Sequence, residues 1–388
     1  MSPKRRILIF VFLTLLAGGS KGQDFQFFIQ KFGVEDGLSN RFICALFQDK
    51  KGFMWIGTQN GLNRFDGEEF KSYYFHEINK NARRILSISE DVNENLWIVG
   101  GINTNQCSPT SSLQCYQDLF FFVFSPATEK VISLQRYLGD EAPFSTDDIV
   151  YFYSENEIIK IQLRNGDFYI FDGTLKRVFS FPGAERILEG NDEIYFAIKR
   201  DSLFECTAEG AVRSADKIDP KINNIWRGRN RSVYLGALDI KPETFFIKPY
   251  EKPLTAFPFK ADEKFWSQYY YPNNYKLYQF EDGHWLLQWL NYFGLYDKNF
   301  NLKYGFSDFF PLEKGLEPIA NVLIDRDENI WMSKGEQLIY IKRQQTHFKN
   351  FLTGGTPRIS TRQMLKDDAG WLWIVTYAGT FRMNMNVP

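Results

Sequence analysis

The chain of 388 residues has few of the residues that mark metal or redox chemistry, with only four cysteines and three histidines. The spacing of the cysteines fits no zinc motif, and the histidines, His76, His284 and His347, lie far apart. A metal site is therefore not predicted. Nucleophile elbows, phosphate-binding loops and cofactor motifs are also missing. We predict no catalytic residue and no cofactor.

The chain also lacks an excess of either charge. Its 46 lysines and arginines nearly balance its 47 aspartates and glutamates, and no long block of like charge follows the N-terminal segment. Two short basic clusters, RRILSIS and RGRNR, are interpreted as solvated turns. This balance disfavours a nucleic-acid groove or a polybasic membrane patch.

Long hydrophobic runs are missing after the N-terminus. Lys4, Arg5 and Arg6 precede an apolar run of 11 residues from Ile7 to Ala17, followed by small residues. This order is typical of a secretory signal peptide, and the run is shorter than the ~20 residues that span a bilayer. We predict a signal peptide over residues 1–22, an exported or periplasmic location, and no other membrane span. A short anchor is the disfavoured alternative.

Aromatic residues are abundant and reach 17% of the chain, with 38 Phe, 20 Tyr and 9 Trp. Such residues favour pleated, half-buried sheets over helices. The stretch ICALFQDKKGFMWIGTQNGLNRFDG reads as successive strands joined by tight turns rich in Asp, Asn and Gly. We predict an all-β chain.

One pattern recurs along the chain: a tryptophan stands six residues after an aspartate. The pairs are Asp49/Trp55, Asp91/Trp97, Asp325/Trp331 and Asp367/Trp373. Weaker copies place the second-strand anchor at other residues, so that the full set of anchors is Trp55, Trp97, Ile159, Tyr195, Tyr234, Trp285, Trp331 and Trp373. Most gaps are close to the ~40–50 residues of a β-propeller blade. We interpret each anchor as apolar filling between neighbouring blades; stacking on carbohydrate is the alternative.

Two ways of closing the propeller stay open. Seven four-stranded blades could fill residues 24–352, with residues 353–388 forming the first blade of a second propeller. Alternatively, residues 353–388 are an eighth blade, and the early strand FQFFIQKF is its outer strand. An unpaired blade edge is a liability in either arrangement.

The stretch EDGLSNRFICALFQDKKGFMWIGTQNGLNRFDG resembles the repeat of the two-component regulator propeller, found in the periplasmic sensor region of hybrid histidine kinases of the Bacteroidetes type. DENIWMSKGEQLIYI and DDAGWLWIVTYAGTFRM resemble eroded copies. The resemblance implies an exported sensor for oligosaccharides that acts with downstream sensor domains or another protomer. No kinase motif is present, so the chain is either a fragment of a longer sensor or a stand-alone relative.

Acidic residues that precede second strands are interpreted as turn residues and not as paired catalytic carboxylates. They are Asp49, Asp91, Asp325, Asp327, Asp367 and Asp368. In FEDGHW, Asp282 and His284 could form an acid–base pair, but a hairpin turn is preferred. Because that pair is possible, a propeller lyase or glycosidase is kept as an alternative function.

Polar loops that join second to third strands are the candidate ligand-binding sites. Planar polar groups and an aromatic ring suit a sugar-like ligand. The candidates are Asn60, Arg164, Arg200, Asn291 and Tyr292. Cys107 and Cys115 are predicted to form a local disulfide, whereas Cys44 and Cys206 are predicted to be buried thiols. A secreted protein-interaction scaffold is the remaining alternative.

Overall fold

The structure is a computed structural model that describes residues 25–103, 116–139, 142–190, 194–218, 222–227, 233–237, 245–248, 255–257, 275–289, 292–299, 301–310, 319–345, 361–369, 371–376 and 379–384. The predicted signal peptide, the predicted Cys107–Cys115 disulfide, Asn291 and the predicted boundary at residue 352 lie outside the described residues. They stay predictions.

The described strands form seven four-stranded antiparallel sheets and one three-stranded sheet. Strand β1 (Phe25–Phe32) is followed by β2 (Ile43–Gln48), β3 (Met54–Thr58), β4 (Gly61–Phe65) and β5 (Phe70–Tyr73) of the first sheet, and β6 (Ile85–Glu90), β7 (Leu96–Asn103), β8 (Tyr116–Ser125) and β9 (Lys130–Ser133) of the second. The third sheet contains β10 (Ile149–Glu155), β11 (Ile158–Leu163), β12 (Asp167–Phe171) and β13 (Leu175–Ser180), and the fourth contains β14 (Arg186–Glu189), β15 (Ile194–Lys199), β16 (Ser202–Thr207) and β17 (Val212–Lys217).

The remaining sheets follow the same chain order. The fifth contains β18 (Ile222–Arg227), β19 (Val233–Ala237), β20 (Phe245–Lys248) and β21 (Thr255–Phe257), and the sixth contains β22 (Tyr275–Gln279), β23 (Trp285–Trp289), β24 (Tyr292–Tyr296) and β25 (Leu302–Tyr304). The seventh contains β26 (Ile319–Ile324), β27 (Ile330–Lys334) and β28 (Gln337–Gln345), and the eighth contains β29 (Thr361–Lys366), β30 (Trp371–Thr376) and β31 (Gly379–Asn384). The short helices are α1 (Leu134–Leu138) and α2 (Phe306–Phe309), with 3-10 turns at Val34–Asp36, Lys80–Arg83 and Thr146–Asp148.

The chain forms two compact units. The larger spans residues 27–342, and the smaller holds residues 343–388 with the N-terminal residues up to 26. Within the larger unit, β1 pairs with β28 and becomes the fourth strand of the seventh sheet. Its Phe32 stacks on Trp331 at a centroid distance of 6.2 Å. The eight-bladed alternative placed this strand on the eighth sheet, and that placement is wrong.

Neighbouring sheets of the larger unit pack on one another through buried side chains at several junctions. Buried clusters join the first sheet to the second, the second to the third, the third to the fourth and the fourth to the fifth. The Tyr278 hydroxyl of the sixth sheet donates to the Val322 carbonyl of the seventh at 2.7 Å. The seventh sheet also packs on the first, where Trp331 and Ile56 share a cluster. The last sheet of the larger unit thus packs on the first, and the fold is an all-β propeller.

Each recurring aspartate and tryptophan form one hydrogen-bonded unit. In the first sheet, the Trp55 indole N–H donates to Asp49 Oδ2 at 2.7 Å, and the Phe53 amide donates to Asp49 Oδ1 at 2.9 Å. The carboxylate therefore closes the turn and holds the ring at once. The same indole bonds occur in the second, seventh and eighth sheets, at Asp91–Trp97, Asp325–Trp331 and Asp367–Trp373.

The indole of each such sheet in the larger unit reaches an aromatic ring on the third strand of the next sheet. Trp55 contacts Phe124 at a centroid distance of 6.1 Å, and Trp97 contacts Phe171 at 5.1 Å. Trp331 contacts Phe65 at 5.8 Å. Such aromatic pairs add to the stabilisation that burial provides. The ring is thus filling between sheets in the first, second and seventh sheets.

Strand register places other residues at this position in three sheets. In the third sheet, Tyr151 pairs with Gln162 directly after a bulge. The equivalent pair in the first sheet is Ala45 with Gly57. Counting from these pairs puts Lys160, and not the predicted Ile159, at the position of Trp55. In the first sheet, Trp55 lies three residues before the last paired residue of the second strand. The residues at that position are Phe196 in the fourth sheet and Leu286 in the sixth. The anchors Tyr195 and Trp285 are buried one residue away, and Tyr195 stacks on Phe179 of the third sheet at 4.4 Å. In the fifth sheet, Tyr234 occupies the same strand position that Trp55 occupies in the first.

Lys160 replaces the aspartate–tryptophan unit by an ion-pair triad. Its ammonium lies 2.5 Å from a carboxylate oxygen of Glu155 in the same sheet and 2.5 Å from Glu189 in the fourth sheet. The Lys160 side chain is only 7% exposed, so burial requires these partners. The triad links the third sheet to the fourth.

Candidate functional site

The repeat motif of the first sheet folds into one polar cluster. Buried Asn63 accepts from the Ser39 amide at 2.8 Å and donates to the Ile56 carbonyl at 3.1 Å. The Ser39 hydroxyl lies 2.9 Å from that of Thr58, which also accepts from the Asn60 amide at 3.1 Å. The segments GLSN, WIGT and GLN are therefore bonded together. They fix the loop at Asn60 and carry no reactive group.

The loop at Asn60 lies at the edge of the first sheet where the chain begins its first strand. The Gln59 amide donates to the Phe42 carbonyl at 3.0 Å, and Arg83 Nε donates to Asn60 Oδ1 at 2.9 Å. Arg83 belongs to the connection that leads into the second sheet. This surface, called the loop face below, thus brings together three separate segments of the chain.

Three large apolar side chains are exposed on the loop face. Phe42 is 43% exposed, Tyr74 is 51% exposed and Ile78 is 52% exposed. Tyr74 lies beside Gly61, whose added Cβ would sit 3.1 Å from the Tyr74 ring. Clustered exposed apolar residues with a polar rim are typical of interaction sites. Sequence reasoning missed them because one exposed ring leaves no signal in a chain so rich in aromatics.

Arg164 and Arg200 occupy the equivalent loops of the third and fourth sheets. The Arg164 amide donates to the Asp148 carbonyl at 2.8 Å. Arg200 has a left-handed backbone with φ 57°, and its amide donates to Glu185 Oε1 at 3.1 Å. Both side chains are exposed. Tyr292 is the first residue of β24, and Asn291 lies outside the described residues.

The opposite edge carries the turns between first and second strands, called the turn face below. Lys50 Nζ lies 2.7 Å from Glu157 of the third sheet, and Lys51 Nζ lies 2.6 Å from Glu94 of the second. Arg326 of the seventh sheet donates to the Asp49 carbonyl at 2.7 Å. These contacts tie neighbouring sheets together. The recurring aspartates lie here, but their carboxylates are occupied by indoles.

Glu90 is the most perturbed carboxyl on the turn face. It accepts from the Lys50 amide at 2.7 Å. Burial, with further contributions from the charges of Asp49, Glu157 and Glu94, raises the pKa of Glu90 to about 7. Burial disfavours the charged form of a carboxyl, and nearby negative charges add to that effect. Glu90 therefore titrates near neutral pH at the junction of the first two sheets.

The remaining titratable candidates are structural. Asp282 and His284 lie in a turn, where Asp282 Oδ1 accepts from the His284 amide at 2.9 Å and also lies 3.0 Å from His284 Nδ1. Cys44 and Cys206 are buried free thiols, and burial raises the pKa of Cys206 to about 11. Among the described residues, no group of three or more His, Cys, Asp or Glu side chains could hold a metal ion. Within the same part of the chain, no helix could cross a membrane.

The motif residues of the first sheet match a known family. The family described as two component regulator propeller matches residues 37–60, which include Ser39, Thr58 and Asn60. The chain carries a two-component regulator propeller repeat. The resemblance predicted from the sequence is confirmed, and the polar cluster around Asn63 bonds Ser39 and Thr58 of the matched segment to each other.

A curated relative also matches a part of the chain. Histidine kinase P4 of Formosa agariphila is 40% identical over 67 residues. These residues are 17% of this chain and 5% of that protein. The match thus spans a small fraction of the kinase.

Solved structures show the same fold at low identity. A streptogramin B lyase is 11% identical with a TM-score of 0.56, covering 84% of this chain and 100% of that chain. Virginiamycin B lyase from Staphylococcus aureus is 10% identical with a TM-score of 0.55, covering 82% and 99%. The extracellular domain of a protein described as a hybrid two component system, from B. thetaiotaomicron, is 16% identical over 94% of this chain and 60% of that one, but its TM-score of 0.33 is too low to establish a shared fold.

Proposed function

We propose that the chain is an exported, periplasmic sensor module of a two-component system, which recognises an oligosaccharide and is not itself an enzyme. The observation that carries this proposal is the regulator propeller repeat at residues 37–60. The 67-residue similarity to a histidine kinase supports it. The signal would pass to a downstream sensor domain or to another protomer, through different ligand affinities of two arrangements.

The loop face is the surface that best suits such a ligand. Exposed Phe42 and Tyr74 offer apolar rings, and Asn60 with Arg83 offers a fixed amide and a guanidinium. Arg164 and Arg200 extend the same edge toward the third and fourth sheets. A few convergent polar groups beside apolar surface are what small-ligand sites use.

Two other functions have an observation in their favour. The fold is shared with two lyases, although similarity at that identity concerns the fold alone. The exposed rings of the loop face would equally suit a protein partner. We favour recognition of an oligosaccharide because the turn-face aspartates that a glycosidase or lyase could use are bonded to indole N–H groups.

Thermal denaturation with a panel of oligosaccharides tests the proposal. A ligand that binds the folded state alone raises its apparent stability. We expect a stabilising oligosaccharide, whose effect is lost in Asn60→Ala and Tyr74→Ala. Phe28→Ala is the matched control, since Phe28 is a 49% exposed ring on β1, the outer strand of the seventh sheet.

Mass spectrometry of polysaccharide digests separates the alternatives. No new product is expected from the purified chain. Products that form at a catalytic rate would establish a lyase or glycosidase. A complete lack of stabilisation by any oligosaccharide would contradict ligand recognition and favour the scaffold.

A further inference from the structure

A pocket of about 470 Å³ opens between the second and third sheets, on the turn face rather than the loop face. Helix α1 forms one wall with Tyr137 and Leu138, and the turn between β12 and β13 forms another with Phe171 and Thr174. Asn93 completes the rim. The volume lies within the roughly 300–1,000 Å³ that small-molecule sites occupy.

Tyr137 is held rigidly in this pocket. Its hydroxyl donates to Asp91 Oδ2 at 2.7 Å and accepts from Asn93 at 3.2 Å and Asn95 at 3.1 Å. The Tyr137 ring lies between Trp97 and Phe171, at centroid distances of 6.0 and 5.8 Å. In the second sheet, the carboxylate that holds the indole therefore also orients a pocket wall.

The described residues that line the pocket are all uncharged. Leu138, Leu175 and Pro143 offer apolar surface, while Asn93 and Thr174 offer an amide and a hydroxyl. The nearby Asp172 carboxylate lies 2.7 Å from Lys176, which offsets its charge. The described residues of the pocket walls offer no counter-charge to a charged ligand. The chemistry favours a neutral ligand with hydroxyl groups and an apolar face.

An extended peptide fits this pocket less well than a sugar. Peptides that add to a sheet rely on free backbone groups of their partner. Here the Asp172 amide donates to the Thr174 carbonyl at 3.3 Å, and the Thr174 amide donates to Asp172 Oδ1 at 3.2 Å. The turn thus uses its own backbone groups. The Thr174 hydroxyl also donates to Asp172 Oδ1 at 2.9 Å, so its oxygen is left to accept a hydrogen bond from a ligand hydroxyl.

We propose that this pocket binds the end of a neutral oligosaccharide, at a site separate from the loop face. The inference rests on the proposed function, since it assigns a second site to the same class of ligand. One sugar ring would lie against Leu138 and Pro143, with its hydroxyls toward Asn93 and Thr174. The site would couple a ligand to the junction of two sheets through Tyr137 and Asp91.

Isothermal titration with neutral di- to tetrasaccharides of glucose, mannose, xylose and galactose tests this site. Thr174→Trp fills the pocket from an exposed turn, and Asn93→Ala removes an exposed amide from its rim. We expect both changes to weaken binding of a panel member at least about tenfold, the equivalent of ~1.4 kcal/mol. Thr128→Trp is the matched control, because Thr128 is exposed in the corresponding turn of the second sheet.

The outcomes distinguish the two proposals. If Asn60→Ala abolishes binding while Thr174→Trp binds as the wild type does, the pocket proposal is wrong and the proposed function stands. If no panel member binds the wild type and charged oligosaccharides do, the pocket proposal also fails alone. If no oligosaccharide of either kind binds, both fail. Sugar binding that is weakened by Thr174→Trp and unchanged by Thr128→Trp supports the pocket proposal.

Discussion

In the second sheet, the position that faces the next sheet is held by Trp97, and in the third sheet it is held by Lys160. Both side chains are buried, and both are tied to an acidic residue at the end of the first strand. The tryptophan provides apolar area and one N–H, whereas the lysine provides a charge that needs two carboxylates. One backbone register therefore accepts two kinds of interface chemistry.

This comparison shows in which sheets the aspartate and the tryptophan of the repeat occur together. An aspartate six residues before a tryptophan satisfies both the turn amides and the indole, so the two residues depend on each other. Where the aspartate position is Gly190 or Phe280, the ring position is filled by Phe196 or Leu286, which need no acceptor. In the fourth and sixth sheets, the aspartate and the tryptophan are thus both replaced.

The largest effect is expected from removing a ring between sheets. Trp55→Ala should lower the free energy of unfolding by about 3–5 kcal/mol, because Trp55 is fully buried and its loss leaves a cavity. Denaturant unfolding measures this. Phe28→Ala, at an exposed site, should change stability by less than about 0.5 kcal/mol. Equal effects of the two changes would contradict the packing role of the ring.

A smaller effect is expected from removing the acceptor alone. Asp49→Ala should cost about 1–3 kcal/mol, because it leaves the buried indole N–H of Trp55 without its partner. A double-mutant cycle with Trp55→Phe measures the coupling, which should be about 0.5–3 kcal/mol. Additive effects would show that the hydrogen bond contributes little.

The junction of the first and second sheets should respond to pH through Glu90. Because its folded-state pKa is about 7, above the ordinary value of 4.5, the folded protein binds more protons than the unfolded chain between these values. This contribution to stability therefore falls as pH rises from about 5 to about 8. Glu90→Gln should flatten the change, as measured by thermal denaturation across that range.

Glu94 provides the control for this pH effect. Lys51 lowers the pKa of Glu94, so its contribution to stability is lost as pH falls, the reverse of Glu90. Because the Glu94 charge is the smallest of the causes that raise the pKa of Glu90, Glu94→Gln should leave most of the decline toward alkaline pH in place. A pH profile that is identical in the wild type and Glu90→Gln would refute the assignment.

The smallest effect is expected from replacing the whole triad of the third sheet. Changing Glu155 and Glu189 to Gln with Lys160→Met should alter stability by no more than about 1 kcal/mol, or raise it, because desolvation offsets much of a buried ion pair. Lys160→Met alone should cost more, since it leaves two carboxylates facing each other. Denaturant midpoints of the two variants test this order.

The sequence predicted the fold where the spacing of aspartate and tryptophan set the register. It missed the register at Lys160, Phe196 and Leu286, because sheets buried on both faces show no alternation to reveal which residue faces which neighbour. Tyr195 and Trp285 were chosen as anchors for their size, and a shift of one residue turns a side chain to the opposite face.

The candidate sites were less predictable than the fold. Asn60 could be placed on its loop because turn residues bracket it. The exposed rings of Phe42 and Tyr74, and the pocket wall of Tyr137, depend on segments that meet only after folding. Helix α1 is five residues long, so its sequence shows no helical period that could have indicated that Tyr137 would reach Asp91.

The most direct test of the central claim is hydrogen exchange of the indole N–H groups of Trp55, Trp97 and Trp331, followed by nitrogen-15 NMR and assigned with single Trp→Phe variants. Each N–H is buried against an aspartate, so exchange should be slow. At Trp55 and Trp331, which lie outside the pocket between the second and third sheets, it should not change when an oligosaccharide binds. Fast exchange, or direct ligand contacts at these rings, would show that they serve recognition rather than the packing of one sheet on the next.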